Sequence, residues 1–449
     1  MSEHYYSEVI KDIFRLDSEP FQKINQENFS DFETVKLSEI ALANPPKSEI
    51  SDLKINLSVS FIPMEMLGNG LINKKEEGKV ADFINAGYSY FTENDILVAK
   101  ITPCMEHGKC AIAKDLMNGI GFGSTEYNVF RIKDNRILTE YLFAYLNRDI
   151  IKKQAENNMI GTSGRQRVPI SFYENLQIPI VDIIFQKKLK KKYDDAHSRR
   201  EQSQILYRQA EELLLETIGL KDFTPSQEKV SIKTFKESFW KTGRLDAEYY
   251  QLKYEKIENK IKQYKTGFSY IGEHFEQNKQ IIDCSEKQYN YIEIGDINVG
   301  DGSHSFNMVD AAELPANAKI KSNRGDLLIS KVRPNRGAVS IIDENIHNLV
   351  VSGAFTVLKE NSNYKKEVLF ILLRTIHYKE WLLKYNVGTS YPVIKDEDVL
   401  TLPIPLIDER VQLEIADLIE KSFSFRRKSE KLLREAKEMV EKEITDSNV

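Results

Sequence analysis

The chain has 449 residues, enough for two or three domains; with 41% hydrophobic and 29% charged residues it can build packed cores, which excludes wholesale disorder. Mean hydropathy is −0.44 and no run of about 18 apolar residues occurs, which excludes a membrane-spanning helix; three cysteines exclude a disulfide framework and fit a reducing cytoplasm. The formal net charge of −5 speaks against a uniformly basic binder of nucleic acid, although counterion release depends on local lysine and arginine clusters and not on the total.

From the amino terminus, Met1 to Tyr6 lacks a basic start followed by an apolar stretch, so no signal peptide is expected. Arg15-Leu16-Asp17-Ser18-Glu19 comes next and is the first half of a repeat. It returns as Arg244-Leu245-Asp246-Ala247-Glu248. Val59 to Pro63 reads as a short strand, and Asp95 to Ile101 is a run of branched aliphatics bounded by turn residues, again a strand. The second returns as Asp326 to Val332, and Tyr289 to Ile294 is a strand of the same type in the later half. Glu140 to Leu146 is a helix matched by Glu367 to Leu373. Gly161-Thr162-Ser163 is a turn matched by Gly388-Thr389-Ser390, and Ile178-Pro179-Ile180 a strand matched by Leu402-Pro403-Ile404. The order is kept throughout and the offset drifts only between 224 and 231 residues.

Each copy then changes character. From Gln186 to Ile218 there is neither proline nor glycine. Leu189, Tyr193, Ala196, Ser203, Leu206, Ala210, Leu213 and Thr217 recur at helical steps, which predicts a long helix with a narrow apolar seam stopped at Gly219. Arg410 to Ile444 repeats the pattern through Leu413, Leu418, Phe423, Leu432, Ala436, Met439 and Val440. Helices of some 30 residues are about 45 Å long, and narrow seams are best buried by pairing as a coiled coil; packing of each on its own globule is the competing arrangement. The expected fold is α+β: two similar mixed α/β domains with β-rich cores, at residues 1–185 and 221–409, separated by two long helices, at 186–220 and 410–449, paired as an antiparallel coiled coil.

The double repeat, the Arg-Leu-Asp-x-Glu openings, the Asp-[Ile/Leu]-Leu-x-x-Lys strands, the Gly-Thr-Ser turns and the proline-containing strands that feed the helices resemble the specificity subunits of type I restriction-modification systems. Gln186 and Gln412 stand where that family often has a Glu-Gln pair, without the preceding Glu. The resemblance implies two target-recognition domains on a bipartite, asymmetric double-stranded DNA target. It also implies helices that space those domains and dock methyltransferase subunits, with restriction or translocase subunits as further partners. S-adenosylmethionine, ATP and Mg²⁺ would then sit on the partners, with no cofactor, metal or catalysis in this chain, which would be cytoplasmic. Two readers suit half-sites about 34–36 Å apart, a distance a helix pair of this length can span. Other readings are a recognition subunit of another restriction or phage-defence system, a protein–protein scaffold, or a solitary methyltransferase.

Candidate DNA contacts fall at the same two places in both copies. In the first these are Lys100, Thr102, His107 and Lys109 after the strand, and Thr162, Ser163, Gly164, Arg165, Gln166 and Arg167 after Gly161. In the second they are Lys331, Arg333, Asn335 and Arg336, then Thr389, Ser390 and Tyr391. Arginine and glutamine present the paired donors, or donor and acceptor, that suit guanine and adenine edges. Each such residue taken alone could equally be solvated. The basic runs Lys187, Lys188, Lys190, Lys191, Lys192 and Arg426, Arg427, Lys428, Lys431 read first as solvated helical faces, with DNA or an acidic partner surface as the alternative.

Three other features suggest chemistry and fall short of it. Asn44-Pro45-Pro46-Lys47 lacks the aromatic that stacks on a flipped base in amino-methyltransferases, and no glycine-rich cofactor loop follows a strand. Cys104, His107 and Cys110 lack the spacing and the fourth ligand of a zinc site. Asp95 with Lys100, and Asp326 with Lys331, lack the further carboxylate that a Mg²⁺-dependent nuclease needs.

Overall fold

The computed structural model describes residues 29, 31–73, 75–162, 164–226, 228, 230–283 and 285–446. The amino-terminal start, the Arg15–Glu19 opening and Ser163 lie outside the described residues. The chain forms two compact units, one of residues 1–200 with 427–449 and one of residues 201–426.

Unit 1 holds strands β1 (Thr34–Lys36), β2 (Ala41–Ala43), β3 (Ser58–Ile62), β4 (Asn69–Gly70), β5 (Glu76–Lys79), β6 (Ser89–Thr92), β7 (Ile96–Ala99), β8 (Cys110–Ile112), β9 (Ile120–Gly123), β10 (Tyr127–Ile132) and β11 (Gln177–Pro179). They make a five-stranded sheet in the order β2-β10-β7-β8-β4, a four-stranded sheet β5-β3-β9-β6 and the pair β1-β11. Helices α1 (Thr139–Leu146), α2 (Asp149–Asn157) and α3 (Ile170–Glu174) follow β10, and α4 (Ile183–Thr217) follows β11. Every residue of β7 is buried, because the strand is central and covered on both faces. Ile96 and Val98 point into the helical core with Tyr141, Leu142 and Tyr145 of α1. Leu97 and Ala99 point the other way, into a core shared with Ile62 of β3 and Tyr127 and Val129 of β10.

Unit 2 repeats the plan. Its strands are β12 (Phe268–Tyr270), β13 (Phe275–Gln277), β14 (Gln288–Ile292), β15 (Asn307–Asp310), β16 (Ala318–Lys321), β17 (Leu327–Ser330), β18 (Val339–Ile341), β19 (Leu349–Ser352), β20 (Phe355–Glu360) and β21 (Pro403–Pro405). They form sheets β13-β20-β17-β18 and β15-β14-β19-β16 and the pair β12-β21. Its helices are α5 (Leu252–Lys262), α6 (Lys366–Arg374), α7 (Ile376–Leu382), α8 (Asp396–Leu400) and α9 (Glu409–Asp446). The internal repeat is therefore a repeat of topology: β3 and β9 run parallel within an otherwise antiparallel sheet, and so do β14 and β19. The central ladders also agree, with Phe130 opposite Ile96 and Tyr127 opposite Ala99, against Leu358 opposite Leu327 and Phe355 opposite Ser330. The prolines of the repeat lie in two-stranded pairs, where an edge tolerates a missing donor.

The aspartates before the central strands are structural. Asp95 accepts from the Thr92 amide at 2.8 Å and from both Nε and Nη2 of Arg131 at 2.8 and 2.7 Å. Asp326 accepts from the Asn323 amide at 3.0 Å, the Ser322 hydroxyl at 2.9 Å and Asn278 at 3.2 Å. The Asn-Pro-Pro-Lys segment is likewise a turn. Asn44 is left-handed (φ 48°), its Oδ1 accepts the Val129 amide at 2.9 Å, and Lys47 donates to the carbonyls of Phe83 and Ile84.

Both long helices contribute to both units. In unit 1 the Ser429 hydroxyl of α9 donates to the Ala196 carbonyl of α4 at 2.7 Å and Lys192 pairs with Glu435, so the segments run antiparallel. In unit 2 the hydroxyls of Ser203 and Ser422 meet at 3.0 Å, beside the packing of Ala210, Leu214 and Ile218 with Ile415 and Ile419. Ala196 with Ser203, and Ser422 with Ser429, stand one heptad apart, and small side chains let the backbones come close. The helices also dock on the globular parts: Leu189, Tyr193, Ala436 and Val440 join the α1 core, and Ala210, Leu214, Ile415 and Phe423 join the α6 core. The seam accordingly differs in detail from the expected one. Leu413 is half exposed and Leu214 and Ile218 are buried, whereas Leu213 and Thr217 are only partly so, because the globule and not a helix partner selects the face there. Helix α4 begins at Ile183, three residues before the expected start, where Asp182 caps it by accepting the Ile184 amide at 2.7 Å. Gly219 (φ 68°) ends it, with the Leu220 amide returning to the Leu215 carbonyl.

Candidate nucleic-acid interface

The two loop clusters of each copy are far apart in sequence and adjacent in the fold. In unit 1 the chain leaving β7 is bonded along one side to the segment before α3. Val168 N–H donates to the Lys100 carbonyl at 2.9 Å and Thr102 N–H to that of Gln166 at 3.1 Å. Ile160 and Arg167 exchange backbone bonds at 3.0 and 2.9 Å, which brings the chain back on itself between them. Gly161 (φ 121°) and Gly164 (φ 75°) supply backbone conformations that side-chain-bearing residues avoid. In unit 2 the same ladder recurs. Ile394 N–H donates to the Lys331 carbonyl at 3.0 Å, Arg333 N–H to that of Pro392 at 2.7 Å, and Val387 N–H to that of Val393 at 2.9 Å.

Side chains within this frame divide into tethers and free groups. Arg167 forks onto Glu126 with Nε and Nη2 at 2.8 and 2.7 Å, and that hydrogen bond holds the Glu126 carboxyl below its ordinary range. Lys109 donates to the Met64 carbonyl at 3.0 Å, and the Thr102 hydroxyl donates to Glu106. Lys331 sits 3.1 Å from Asp396, which also accepts the Thr356 hydroxyl at 2.6 Å. Burial alone would push the Asp396 carboxyl up; the Thr356 and Lys331 bonds outweigh it and hold it low. By contrast His107, Thr162 and Arg165 are exposed in unit 1, with Gln166 half-buried, and Arg333, Asn335, Arg336, Thr389, Ser390 and Tyr391 are exposed in unit 2. Lys100 is half-buried, close enough to Glu126 to lower that carboxyl as well.

Unit 2 carries the more constrained site. Arg333 is left-handed (φ 50°, ψ 53°), a strained conformation for a side-chain-bearing residue, and opens the one-turn segment Pro334–Arg336 that Gly337 (φ 75°) closes. Its guanidinium lies 5.5 Å from the centre of the Tyr391 ring. Arg333, Arg336 and Tyr391 line a pocket floored by Ile294, Ile297 and Val299. A Cβ on Gly388 would collide with the Tyr391 carbonyl oxygen, so the loop depends on glycine there. The arrangement offers planar, multiply donating cations and an aromatic face at one exposed edge, the chemistry that base edges and phosphates call for.

Sequence reading missed three supporting groups. Glu126, Asp396 and Asn386 steer the cations and loops from elements that only the topology brings near. It did register Gln186 and Gln412, without a role. Gln186 accepts the Leu138 amide at 2.7 Å and donates to the Val181 and Arg136 carbonyls. Gln412 accepts the Lys365 amide at 2.9 Å and donates to the Ile407 carbonyl at 2.8 Å. Each buried amide thus ties the first turn of a long helix to the start of α1 or α6.

Of the zinc-like trio, Cys104 is half-buried, His107 exposed and Cys110 buried in β8, where burial pushes its thiol up to about 12. Among the described residues no three His, Cys, Asp or Glu side chains are placed to hold a metal ion, and no helix is long and apolar enough to cross a membrane.

The fold is a mixed one written twice, with an exposed donor-rich edge at the same place in each copy. Residues 268–436 match the family model for the Type I restriction modification DNA specificity domain. The chain is 35% identical over 200 residues, 44% of its length and 33% of the relative's, to the EcoAI specificity subunit of a type I restriction enzyme from Escherichia coli. It is 36% identical over 149 residues, 33% of its length and 25% of the relative's, to the EcoEI specificity subunit from the same organism. These alignments span a quarter to a third of the length of those relatives. A solved type I restriction-modification S subunit from M. genitalium aligns over 94% of this chain and 98% of its own at 12% identity, with a TM-score of 0.44. By its family-model and sequence matches the chain is similar to the specificity subunits of type I restriction-modification systems.

Proposed function

We propose that the chain is the DNA-recognition subunit of a type I restriction-modification complex and has no catalytic activity of its own. Residues 1–185 and 221–409 act as target-recognition domains, each reading one half of a split, asymmetric duplex target, and the helices at 186–220 and 410–449 space them. The observation that carries this reading is the repeated ladder that joins two donor-rich loops into one exposed edge in each unit. The edges share a backbone and differ in side chains: His107, Thr162, Arg165 and Gln166 in one, Arg333, Asn335, Arg336, Thr389, Ser390 and Tyr391 in the other. Lys100, Gly164, Lys331 and the tethered Thr102, Lys109 and Arg167 complete the surfaces, together with Ser163. Methyltransferase subunits, joined by restriction or translocase subunits, would supply S-adenosylmethionine, ATP and Mg²⁺ chemistry in the cytoplasm.

Mapping methylated bases in genomic DNA of cells with and without the chain tests this directly. A split methylated motif that disappears with the chain is the expected result; an unchanged methylation pattern overturns the proposal. Within unit 1, Arg165→Ala should weaken discrimination at one half-site by roughly 1–3 kcal/mol. Arg167→Ala should act through loop order instead, because its guanidinium is already held by Glu126. Exchanging residues 1–185 for those of a relative should alter one half of the motif and leave the other.

A further inference from the structure

The Arg-Leu-Asp-x-Glu signature of the second copy has no part in the exposed edge, yet the structure ties it to one. Arg244 forks onto Asp246, with Nε and Nη2 at 2.7 and 2.6 Å from its two carboxylate oxygens. Nη2 also donates to the carbonyl oxygen of Asn386 at 3.0 Å. The guanidinium carbon lies 4.7 Å from the centre of the Tyr249 ring, which makes a T-shaped contact with Tyr385, just before Asn386 in the chain. Asn386 in turn organises the loop that follows it. Its Oδ1 accepts the Gly388 amide at 2.8 Å and the Val393 amide at 3.0 Å, and its Nδ2 donates to the Gly388 carbonyl at 3.2 Å. The span so clamped at both ends carries Thr389, Ser390 and Tyr391.

The Asp246 carboxylate is substantially exposed, and a surface ion pair of that kind adds little to folding. The geometry uses the guanidinium for something else. Nε and Nη2 are held by three hydrogen bonds while Cζ lies over the Tyr249 ring, which restrains the guanidinium and, through the third bond, the backbone at Asn386. We propose that Arg244 and Asp246 are positioning residues for DNA recognition, a strut that holds the Gly388–Val393 loop in reading geometry through Asn386. The proposal rests on the reading of that loop as a DNA-contacting element.

Two readouts separate the strut from that reading, both made on the full chain assembled with its methyltransferase subunits. Hydrogen exchange of the Gly388 and Val393 amides reports the loop without DNA. Equilibrium binding to the mapped duplex, against a duplex altered in one half-site, reports recognition. In Arg244→Gln both amides should exchange about tenfold faster, and discrimination at one half-site should fall about tenfold while the other half-site and the unfolding midpoint stay put. Asn386→Ala, which cuts the link and leaves the Arg244–Asp246 pair, should give the same phenotype, and the double variant should be no worse than either single one. Arg244→Lys keeps the charge but not the fork, so it should restore little. Unchanged amide exchange in Arg244→Gln overturns the strut whatever Asn386→Ala or DNA binding does. Faster exchange with discrimination intact shows a strut under a loop that does not read DNA, which overturns the role assigned here and the loop's place in the interface together.

Discussion

Arg333 is the residue whose backbone and side chain make opposite demands, and replacing it with glycine separates them. At φ 50° and ψ 53° the backbone is left-handed, costing about 1–2 kcal/mol for any residue with a Cβ. Glycine removes that cost, and its greater freedom in the unfolded chain returns roughly 0.4–1 kcal/mol of it. The stacking on Tyr391 at 5.5 Å is also lost, about 0.5–1 kcal/mol at an exposed site. The amide bond to the Pro392 carbonyl survives, because glycine keeps its N–H. These contributions nearly cancel, so Arg333→Gly should fold within about 1 kcal/mol of the parent by urea denaturation. Arg333→Ala keeps the strain and loses the stacking, and should be the less stable of the two. Recognition should move the other way. An arginine fork on a base edge is worth about 1–3 kcal/mol of discrimination, or roughly five- to a hundredfold in relative affinity. Both variants should lose that at one half-site, measured by competition between the mapped duplex and single-base variants. If Arg333→Gly is destabilised by more than about 2 kcal/mol, the strain argument fails; if it discriminates as the parent does, Arg333 reads nothing.

Gln412→Ala should cost about 1–3 kcal/mol in urea, since it leaves the Lys365 amide and the Ile407 carbonyl without their buried partner. Glu441→Gln removes a charge that meets the fully buried Arg148 at 2.6 Å and should cost about 1–3 kcal/mol, somewhat less at high salt because the Glu441 side chain is half exposed. Burial holds the His304 imidazole near a pKa of about 4, below its ordinary value. The unfolded chain therefore takes up that proton first, so this contribution is intact above about pH 6.5 and is lost as pH falls toward 4. The ring is only partly buried, so it should amount to about 1–2 kcal/mol, and His304→Gln should flatten the acid side of the urea-midpoint profile by that much.

Sequence reading reached the repeat, the central strands, the helices that cover them and the long helices, because each is a local pattern of apolar spacing. β7 and β17 announce themselves as short aliphatic runs because both their faces are buried. What it could not reach is set by pairing across long loops. Nothing local says that Thr102 will lie against Gln166 or Arg333 against Pro392, and those bonds turn four scattered clusters into two edges. The helix seams, right at Leu189, Tyr193, Ala196, Ala210, Ala436 and Val440, slipped at Leu213 and Leu413 for a related reason. A heptad pattern read from one helix assumes another helix as its partner, whereas Leu214 and Ile415 answer to the α6 globule.

The two copies also reconcile a negative chain with the proposed recognition of DNA. Within each frame, cations that would otherwise be free are neutralised internally: Arg167 by Glu126 and Lys331 by Asp396. Glu126 and Asp396 hold cations of the two edges, whereas Arg165 and Arg333 with Arg336 stay exposed there for a ligand. Such a division makes net charge a poor guide, because acidic residues that orient basic ones add to the negative total while sharpening the positive surface. It also predicts where the cost of removal falls. Neutralising Glu126 should free Arg167 and disorder the chain between Ile160 and Arg167, so Glu126→Gln should weaken selective binding even though it makes the chain more positive. Measured against salt, non-selective affinity should hold or rise as selective affinity falls. A uniform gain on every duplex would mean that Glu126 merely repels DNA and organises nothing.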